Sequence, residues 1–208
     1  MNVFLKKSNT RVFVAQIPEN ISIGKLYPSE RNAEIASVTN ERVKNEKYFV
    51  WRLLEYAIEK ALGVNIKEVA FKKCESGRWM AEGFDFSLSH SDGVAAVAIS
   101  DTCVGVDIEE VSLPRAESFA KRTLSAFEYE EFSSLPAEGR EEYLIRKWTA
   151  KEATFKSRNG DSFVPCQTEV KVENVKTSLL TLNGRKYVLS VFAEASEIQD
   201  VERVDTVL

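Results

Sequence analysis

No stretch constrains this chain more than a helical pattern that starts near Glu138 and loses its periodicity around Gly160. Its centre is the run from Trp148 to Lys156, Trp-Thr-Ala-Lys-Glu-Ala-Thr-Phe-Lys. At about 100° per residue, Leu144, Ile145, Trp148 and Phe155 share one apolar arc. Glu152 falls inside the same arc, with Lys156 one turn further on at its edge. A carboxylate on a buried stripe costs several kcal/mol unless a cation or strong donors meet it. Two readings satisfy that demand. Either Glu152 and Lys156 form an i,i+4 ion pair, or Glu152 joins other acids around a shared cation.

Those other acids lie upstream. Cys103 to Glu110 reads as a strand in which Val104, Val106 and Ile108 point to one face, the core, and Gly105, Asp107 and Glu109 to the other. Two carboxylates two residues apart project the same way, close enough to share one hard cation, and Gly105 is expected to leave room for a ligand. An ordinary half-exposed strand with outward polar residues remains the alternative. Magnesium takes oxygen ligands and is often held by a few carboxylates together with substrate phosphates. Asp107, Glu109 and Glu152 would make such a set.

Before this strand comes Phe86-Ser-Leu-Ser-His-Ser91, then Gly93 and a small-residue strand from Val94 to Ile99. That strand is expected to pair antiparallel with Cys103–Glu110 across a turn at Ser100-Asp101. His90 is the chain's single histidine. A lone histidine is more often structural than catalytic. Flanked by Ser89 and Ser91 on an expected loop, it could instead offer three adjacent donors to an oxyanion.

The rest of the chain supplies the frame. Arg11–Ile17 alternates as a strand ended by Pro18, and Ser29 can cap a short helix through Ser37. A firmer helix begins at Thr39 or Asn40, carries the stripe Val43, Val50, Leu54, Ala57, Ile58 and Ala61, and stops at Gly63. Its polar face bears Arg42, Lys44, Lys47 and Arg52, either a solvated face or an anchor for phosphate. A short strand is expected around Glu68–Phe71, and a polar loop at Gly77-Arg78-Trp79. Pro114 opens a helix with Phe119 and Ala120 inward. Ser125 and Glu128 form a capping box, and Leu135-Pro136 breaks the chain before the long helix. Val170 and Val172 alternate, Leu179–Leu182 follows, and Asn183-Gly184 turns a hairpin into Lys186–Ala193. Val201–Leu208 closes the fold. An α+β fold is expected, with helices and an antiparallel sheet in each of two similar halves.

Composition excludes several classes. The chain has 208 residues, 44% of them hydrophobic and 29% charged, and a net charge of −4, which suits one large domain or two of about 100 residues. The negative balance gives no support to a nucleic-acid partner. No apolar run approaches the roughly 20 residues needed to cross a bilayer, and Met-Asn-Val-Phe-Leu-Lys-Lys has no signal-peptide core. Three widely spaced cysteines, Cys74, Cys103 and Cys166, match no zinc or redox pattern and read as reduced, mostly buried thiols of a cytoplasmic protein.

Phe-Ser-Leu-Ser-His-Ser (86–91), Gly-Val-Asp-Ile-Glu (105–109) and Trp-Thr-Ala-Lys-Glu-Ala-x-x-Lys (148–156) resemble the three motifs of the 4′-phosphopantetheinyl transferases. Their order and separation fit, as does the length of the Sfp-type branch, a pseudo-dimer of two α/β subdomains. Arg31 and the basic helix around Lys44 fit as well. The resemblance implies Mg2+-dependent transfer of phosphopantetheine from coenzyme A to a serine of an apo acyl or peptidyl carrier protein, with release of adenosine 3′,5′-bisphosphate. It places the active site between an N-terminal half (1–102) and a C-terminal half (103–208) of a monomer. Asp107, Glu109 and Glu152 match the ligands of Mg2+, for which Mn2+ could substitute. Ser89 and His90 match residues that hold coenzyme A phosphates, and Lys44 and Lys47 lie on the helix expected to contact them. Lys156 matches a lysine that neutralises the leaving group, and Glu152 a general base acting directly or through a metal-bound water. The chain departs from the family where Gly77-Arg78-Trp79 replaces a Gly-Lys-Pro, although Arg78 could still fork onto a phosphate, and where Ser87 replaces an asparagine. Two rivals use the same residues: a carrier-binding module without chemistry, and a magnesium-dependent phosphohydrolase.

Overall fold

A computed structural model describes residues 9–75, 77–112, 116–158 and 162–205. Two sheets pack face to face, and each carries a long helix on its outer side. The first sheet has the order β4-β5-β1-β9, where β1 is Asn9–Gln16, β4 Asp85–Ser91, β5 Val94–Ser100 and β9 Glu197–Val204. The second has the order β6-β8-β7, with β6 Val104–Glu110, β7 Val175–Leu182 and β8 Arg185–Ala193. A two-stranded ribbon, β2 (Phe71–Lys73) and β3 (Trp79–Ala81), forms a separate sheet and packs on Trp51 of the first core through Phe71 and Trp79. The helices are α1 (Ser29–Ala36), α2 (Glu41–Leu62), α3 (Ala116–Thr123), α4 (Ala126–Ser134) and α5 (Ala137–Ser157). The architecture is α+β, as expected. Within each sheet the pairs are antiparallel except β1 with β9, which run parallel. Through β9, the C-terminal end of the chain contributes to the first sheet.

Alternation explains the layers. Val12 and Val14 of β1 with Val94, Ala96 and Ala98 of β5 meet Val104, Val106 and Ile108 of β6 and Leu189 and Val191 of β8 between the sheets. The opposite residues, Phe13, Ala15, Ala95, Val97 and Ile99, pack against Val50, Leu54, Ala57 and Ile58 of α2. Strands buried on both faces need apolar residues at every position, and Val94–Ile99 supplies them. α2 begins where Asn40 accepts a bond from the Val43 N–H and ends at Gly63, whose φ of 69° is the left-handed form that glycine takes without a Cβ penalty. The Ser125–Glu128 capping box of α4 is present. So is the Asn183-Gly184 turn, with φ of 48° and 74°.

Several expectations are corrected. β6 does not pair with β5. It crosses to the second sheet and pairs with β8, because its valines stack face to face on the small residues of β5. Asp85–Ser91 is a strand and not a loop, so Ser89 and His90 point to opposite faces. The segment at Glu68 is a 3-10 turn, with the strand following at Phe71, and Trp79 opens a strand within the expected loop. Ser29 is the first helical residue of α1 and not its cap, which is Pro28. Val172 lies in a 3-10 turn and is 80% exposed. Cys103 and Cys166 are exposed, against the expected burial. The expectations for Pro114, the helix end at Gly160 and residues 206–208 lie outside the described residues. Among the described residues no helix is long and apolar enough to cross a membrane.

Candidate active site

Two adjoining sheet edges build the site. β4 and β6 share no backbone ladder. Instead, alternate side chains of β4 act as acceptors for β6: Asp85 Oδ2 for the Val104 N–H (2.9 Å), Ser87 Oγ for Val106 (3.0 Å) and Ser89 Oγ for Ile108 (3.3 Å). Two strands of period two match tooth for tooth. Ser89 and Ser91 then donate to the acids of β6, Ser89 to Asp107 Oδ1 at 2.8 Å and Ser91 to Glu109 Oε2 at 2.6 Å. Ser87 is thereby part of the seam between the sheets.

α5 crosses the Gly105–Asp107–Glu109 face. A Cβ on Gly105 would lie 1.8 Å from the Ala153 carbonyl oxygen, so the space beside Gly105, expected for a ligand, holds the helix backbone. This close approach also turns the helix. Its innermost residues are Leu144, Ile145, Thr149, Ala150, Lys151, Ala153, Thr154 and Ser157, most of them small enough for the contact. Trp148 and Phe155, expected at the core, are half-buried and pack on Phe163. Glu152 accordingly stands at the margin of the buried face, its side chain 20% exposed. The helix and strand stay in step. Ser157 back to Trp148 covers about 13 Å at 1.5 Å per residue, and Gly105 to Glu109 about 13 Å at 3.3 Å.

Lys156 sits among the acids. Its Nζ donates to Asp107 Oδ1 at 2.6 Å and to Ser89 Oγ at 3.3 Å, and lies 4.0 Å from Glu152 Oε2. The closer partner is Asp107, not the i,i+4 neighbour Glu152. Asp107 is 3% exposed, and its Oδ2 is buried with no hydrogen-bond partner. Burial raises the Glu109 pKa to about 7, helped by the charge of Asp107 and opposed by Ser91, Lys156 and Trp148. Burial also raises that of Glu152, with Lys156 opposing and Asp107 assisting. An orphaned carboxylate oxygen and two acids reluctant to ionise make a donor set suited to a hard cation. Among the described residues, however, no three acids, histidines or cysteines converge as a ready metal cluster. The Lys156 ammonium stands between Asp107 and Glu152, so a cation would require it to give way.

His90 faces α2, where its Nδ1 lies 3.2 Å from Glu46 Oε2. Its pKa is lowered first by burial and then by the charges of Lys156 and Lys47, with Glu46 opposing. Lys47 is thus near the ring. Lys44 is not placed there: two residues from Glu46, it projects from another side of the helix and pairs with Glu41 at 3.2 Å. Arg42 and Arg52 also have acidic partners, Glu46 and Glu55, so the basic face is less open than its sequence implied. Arg78 donates from Nη2 to both Asp85 oxygens, at 2.8 and 3.0 Å, and to the Phe86 carbonyl, and from Nη1 to the Lys156 carbonyl. Sequence reasoning missed Glu46, Ser91 as the partner of Glu109, and Asp85. Only the period of β4, once it is known to be a strand, would have revealed the last two.

These features define an α+β protein whose two sheets meet along a seam where Ser89 and Ser91 bond Asp107 and Glu109, and Lys156 bonds Asp107 with Glu152 nearby. Residues 103–204 match the family model described as the 4′-phosphopantetheinyl transferase superfamily. The chain is 34% identical over 107 residues to the 4′-phosphopantetheinyl transferase psf-1 of Bacillus pumilus, covering 50% of this chain and 46% of that protein. It is 34% identical over 126 residues to the 4′-phosphopantetheinyl transferase HetI of a Nostoc species (57% and 50%). With the 4′-phosphopantetheinyl transferase gsp of Aneurinibacillus migulanus, identity is 26% over 143 residues (66% and 58%). Residues 103–204 thus carry the signature of the 4′-phosphopantetheinyl transferase superfamily, in line with the named transferases that the chain resembles. Its matches span about half the length of the first two of these relatives.

Proposed function

We propose that this protein transfers the 4′-phosphopantetheine arm of coenzyme A to a serine of an apo acyl or peptidyl carrier protein and releases adenosine 3′,5′-bisphosphate. The observation that carries the reading is the Lys156 ammonium fixed between Asp107 and Ser89 with Glu152 beside it. In such a transfer the serine oxygen attacks the phosphorus bearing the pantetheine arm. The bond from that phosphorus to the bridging oxygen breaks, and the departing nucleotide phosphate takes the charge. Lys156 is placed to neutralise that charge. Glu152, with its raised pKa, is suited to accept the serine proton.

Asp107, Glu109 and Glu152 are the residues that would hold Mg2+ (or Mn2+), and the ion would supply charge neutralisation for the diphosphate. Ser89, on the seam face of β4, and His90 with Lys47, on its α2 face, would bind different phosphate oxygens. Arg78 would act by fixing the end of α5 through the Lys156 carbonyl. Lys44 enters the reading only as part of the basic helix. On this reading the halves 1–102 and 103–208 are pseudo-equivalent, the enzyme is a cytoplasmic monomer, and neither nucleic acid nor membrane is a partner.

The test is a mixture of protein, apo carrier, coenzyme A and Mg2+ followed by mass spectrometry. The expected result is a carrier heavier by one phosphopantetheine arm and lost when its serine becomes alanine. Hydrolysed coenzyme A with an unmodified carrier would point to a phosphohydrolase. A carrier complex without chemistry would point to a binding module.

A further inference from the structure

His90 is the only histidine of the chain, and a buried acid lies against its ring. Glu46 lies on α2 beside Tyr48, Phe49 and Val50 and is 8% exposed. One carboxylate oxygen, Oε2, is 3.2 Å from His90 Nδ1. The other, Oε1, accepts from Arg42 Nε at 2.9 Å, and Arg42 donates in turn to Asp92 at 2.6 Å in the turn between β4 and β5. Arg42 therefore already ties α2 to that turn. A mere brace would not require a carboxylate held out of water against an imidazole, a contact that carries a desolvation cost an apolar pair would avoid. What the contact adds is direction. The hydrogen bond at one ring nitrogen decides which tautomer forms and where the other nitrogen points.

We propose that Glu46 is a positioning residue that holds His90 as the Nδ1–H form and leaves Nε2 for a phosphate oxygen of coenzyme A. This rests on the transferase reading for its ligand, but not for its geometry. With Nδ1 engaged on the α2 side, Nε2 is the nitrogen left to act with Lys47 and Lys156, whose charges both act on the ring. An arriving phosphate draws a proton from solvent onto Nε2. Both nitrogens then donate, one to Glu46 and one to the ligand, and the carboxylate balances the imidazolium. His90 and Ser89 point to opposite faces of β4, so the ring could not be steadied by the serine seam and needs a partner from α2.

A single histidine makes the test direct. Protein labelled with 15N-histidine gives one pair of ring-nitrogen signals, which report the tautomer. Wild type is expected to show protonated Nδ1 and bare Nε2 in the neutral ring. Glu46→Gln keeps an acceptor oxygen and should keep that tautomer, with coenzyme A affinity within about threefold. Glu46→Leu should move the proton toward Nε2 and weaken coenzyme A by about tenfold, as for a lost hydrogen bond to a charged group. An Nε2–H ring in wild type, or a Glu46→Leu protein with unchanged tautomer and affinity, overturns the proposal. If Glu46→Leu fails to fold, the tautomers of wild type and Glu46→Gln decide it. A tautomer that answers to Glu46 in a wild type blind to coenzyme A upholds the positioning and sinks the transferase reading.

Discussion

Lys156 meets one demand at the residue scale, compensating the buried Asp107, and on the proposed reading it would meet a second, the charge of a leaving phosphate. Removing it leaves a carboxylate that is 3% exposed without a counter-charge, a loss of about 3–5 kcal/mol for a broken buried pair. Lys156→Ala is therefore expected to melt well below wild type in chelator, and millimolar Mg2+ should raise the variant more than wild type. Equal metal stabilisation of the two would contradict a cation site at Asp107. The activity measurement belongs beside it, since a neutraliser of developing charge should affect kcat more than coenzyme A affinity. Glu34 supplies a pH test away from this cluster. Burial raises its pKa, but bonds from Lys73, Trp79 and Arg31 prevail and bring it from 4.5 to about 2. Its folded form releases its proton first, so its stabilisation is complete above about pH 4.5 and disappears as pH falls toward about 2. Glu34→Gln should cost on the order of 1 kcal/mol or less near neutrality, given solvent screening, and denaturation curves of the two proteins should converge at the acid end. The types and spacing of Asp107, Glu109, Glu152 and Lys156 were legible in the sequence: the strand period puts the first two on one face, and the last two lie one helical turn apart. Glu46 was not legible, since nothing local shows that a helix carboxylate will meet a histidine from a distant strand.

At the scale of elements, α5 and β6 are the pair that sets the site, and their contact depends on one missing methyl group. Gly105→Ala would drive its Cβ to 1.8 Å from backbone oxygen of Ala153, a clash that no rotamer relieves. Overpacking against backbone should cost about 3 kcal/mol or more, read as a lower denaturation midpoint, and should lower activity by shifting Lys156 and Glu152 from Asp107. Gly139, in the first turn of α5, has nothing within 4 Å of an added Cβ. Gly139→Ala should stabilise by about 0.5–1 kcal/mol and leave activity intact. Opposite signs for two glycine-to-alanine changes would show that the contact matters, and not glycine content. The elements themselves were largely readable: α2 between Asn40 and Gly63, the hairpin at Asn183-Gly184, the capping box at Ser125. The partner of β6 and the inward face of α5 were not. Both follow from small residues, Ala96 and Ala98 in one case and Gly105 in the other, that permit a close approach without carrying a hydrophobic signal.

For the whole molecule, a cation held at the seam of β4, β6 and α5, as proposed, would link its binding to stability. Glu152 comes from a helix, Asp107 and Glu109 from a strand, and Ser89 and Ser91 from the other sheet, so a bound ion would tie all three layers. A ligand that binds only the folded chain stabilises it by an amount that grows with its concentration. Glu152→Gln keeps the shape and removes one negative charge. Were Glu152 the structural partner of Lys156, the variant would melt lower with or without metal. Lys156, however, has Asp107 at 2.6 Å against 4.0 Å for Glu152, so the lysine stays paired in the variant. The pKa of Glu152 is raised by burial, which means its charge is disfavoured in the folded protein without metal. In chelator, Glu152→Gln should therefore be as stable as wild type or more so. In millimolar Mg2+ the order should reverse, because wild type gains a third oxygen anion for the ion and the amide is a poorer ligand. Thermal melts of both proteins under both conditions give four midpoints. Equal destabilisation of the variant in chelator and in Mg2+ would remove Glu152 from the cation site and restore it to a purely structural pair.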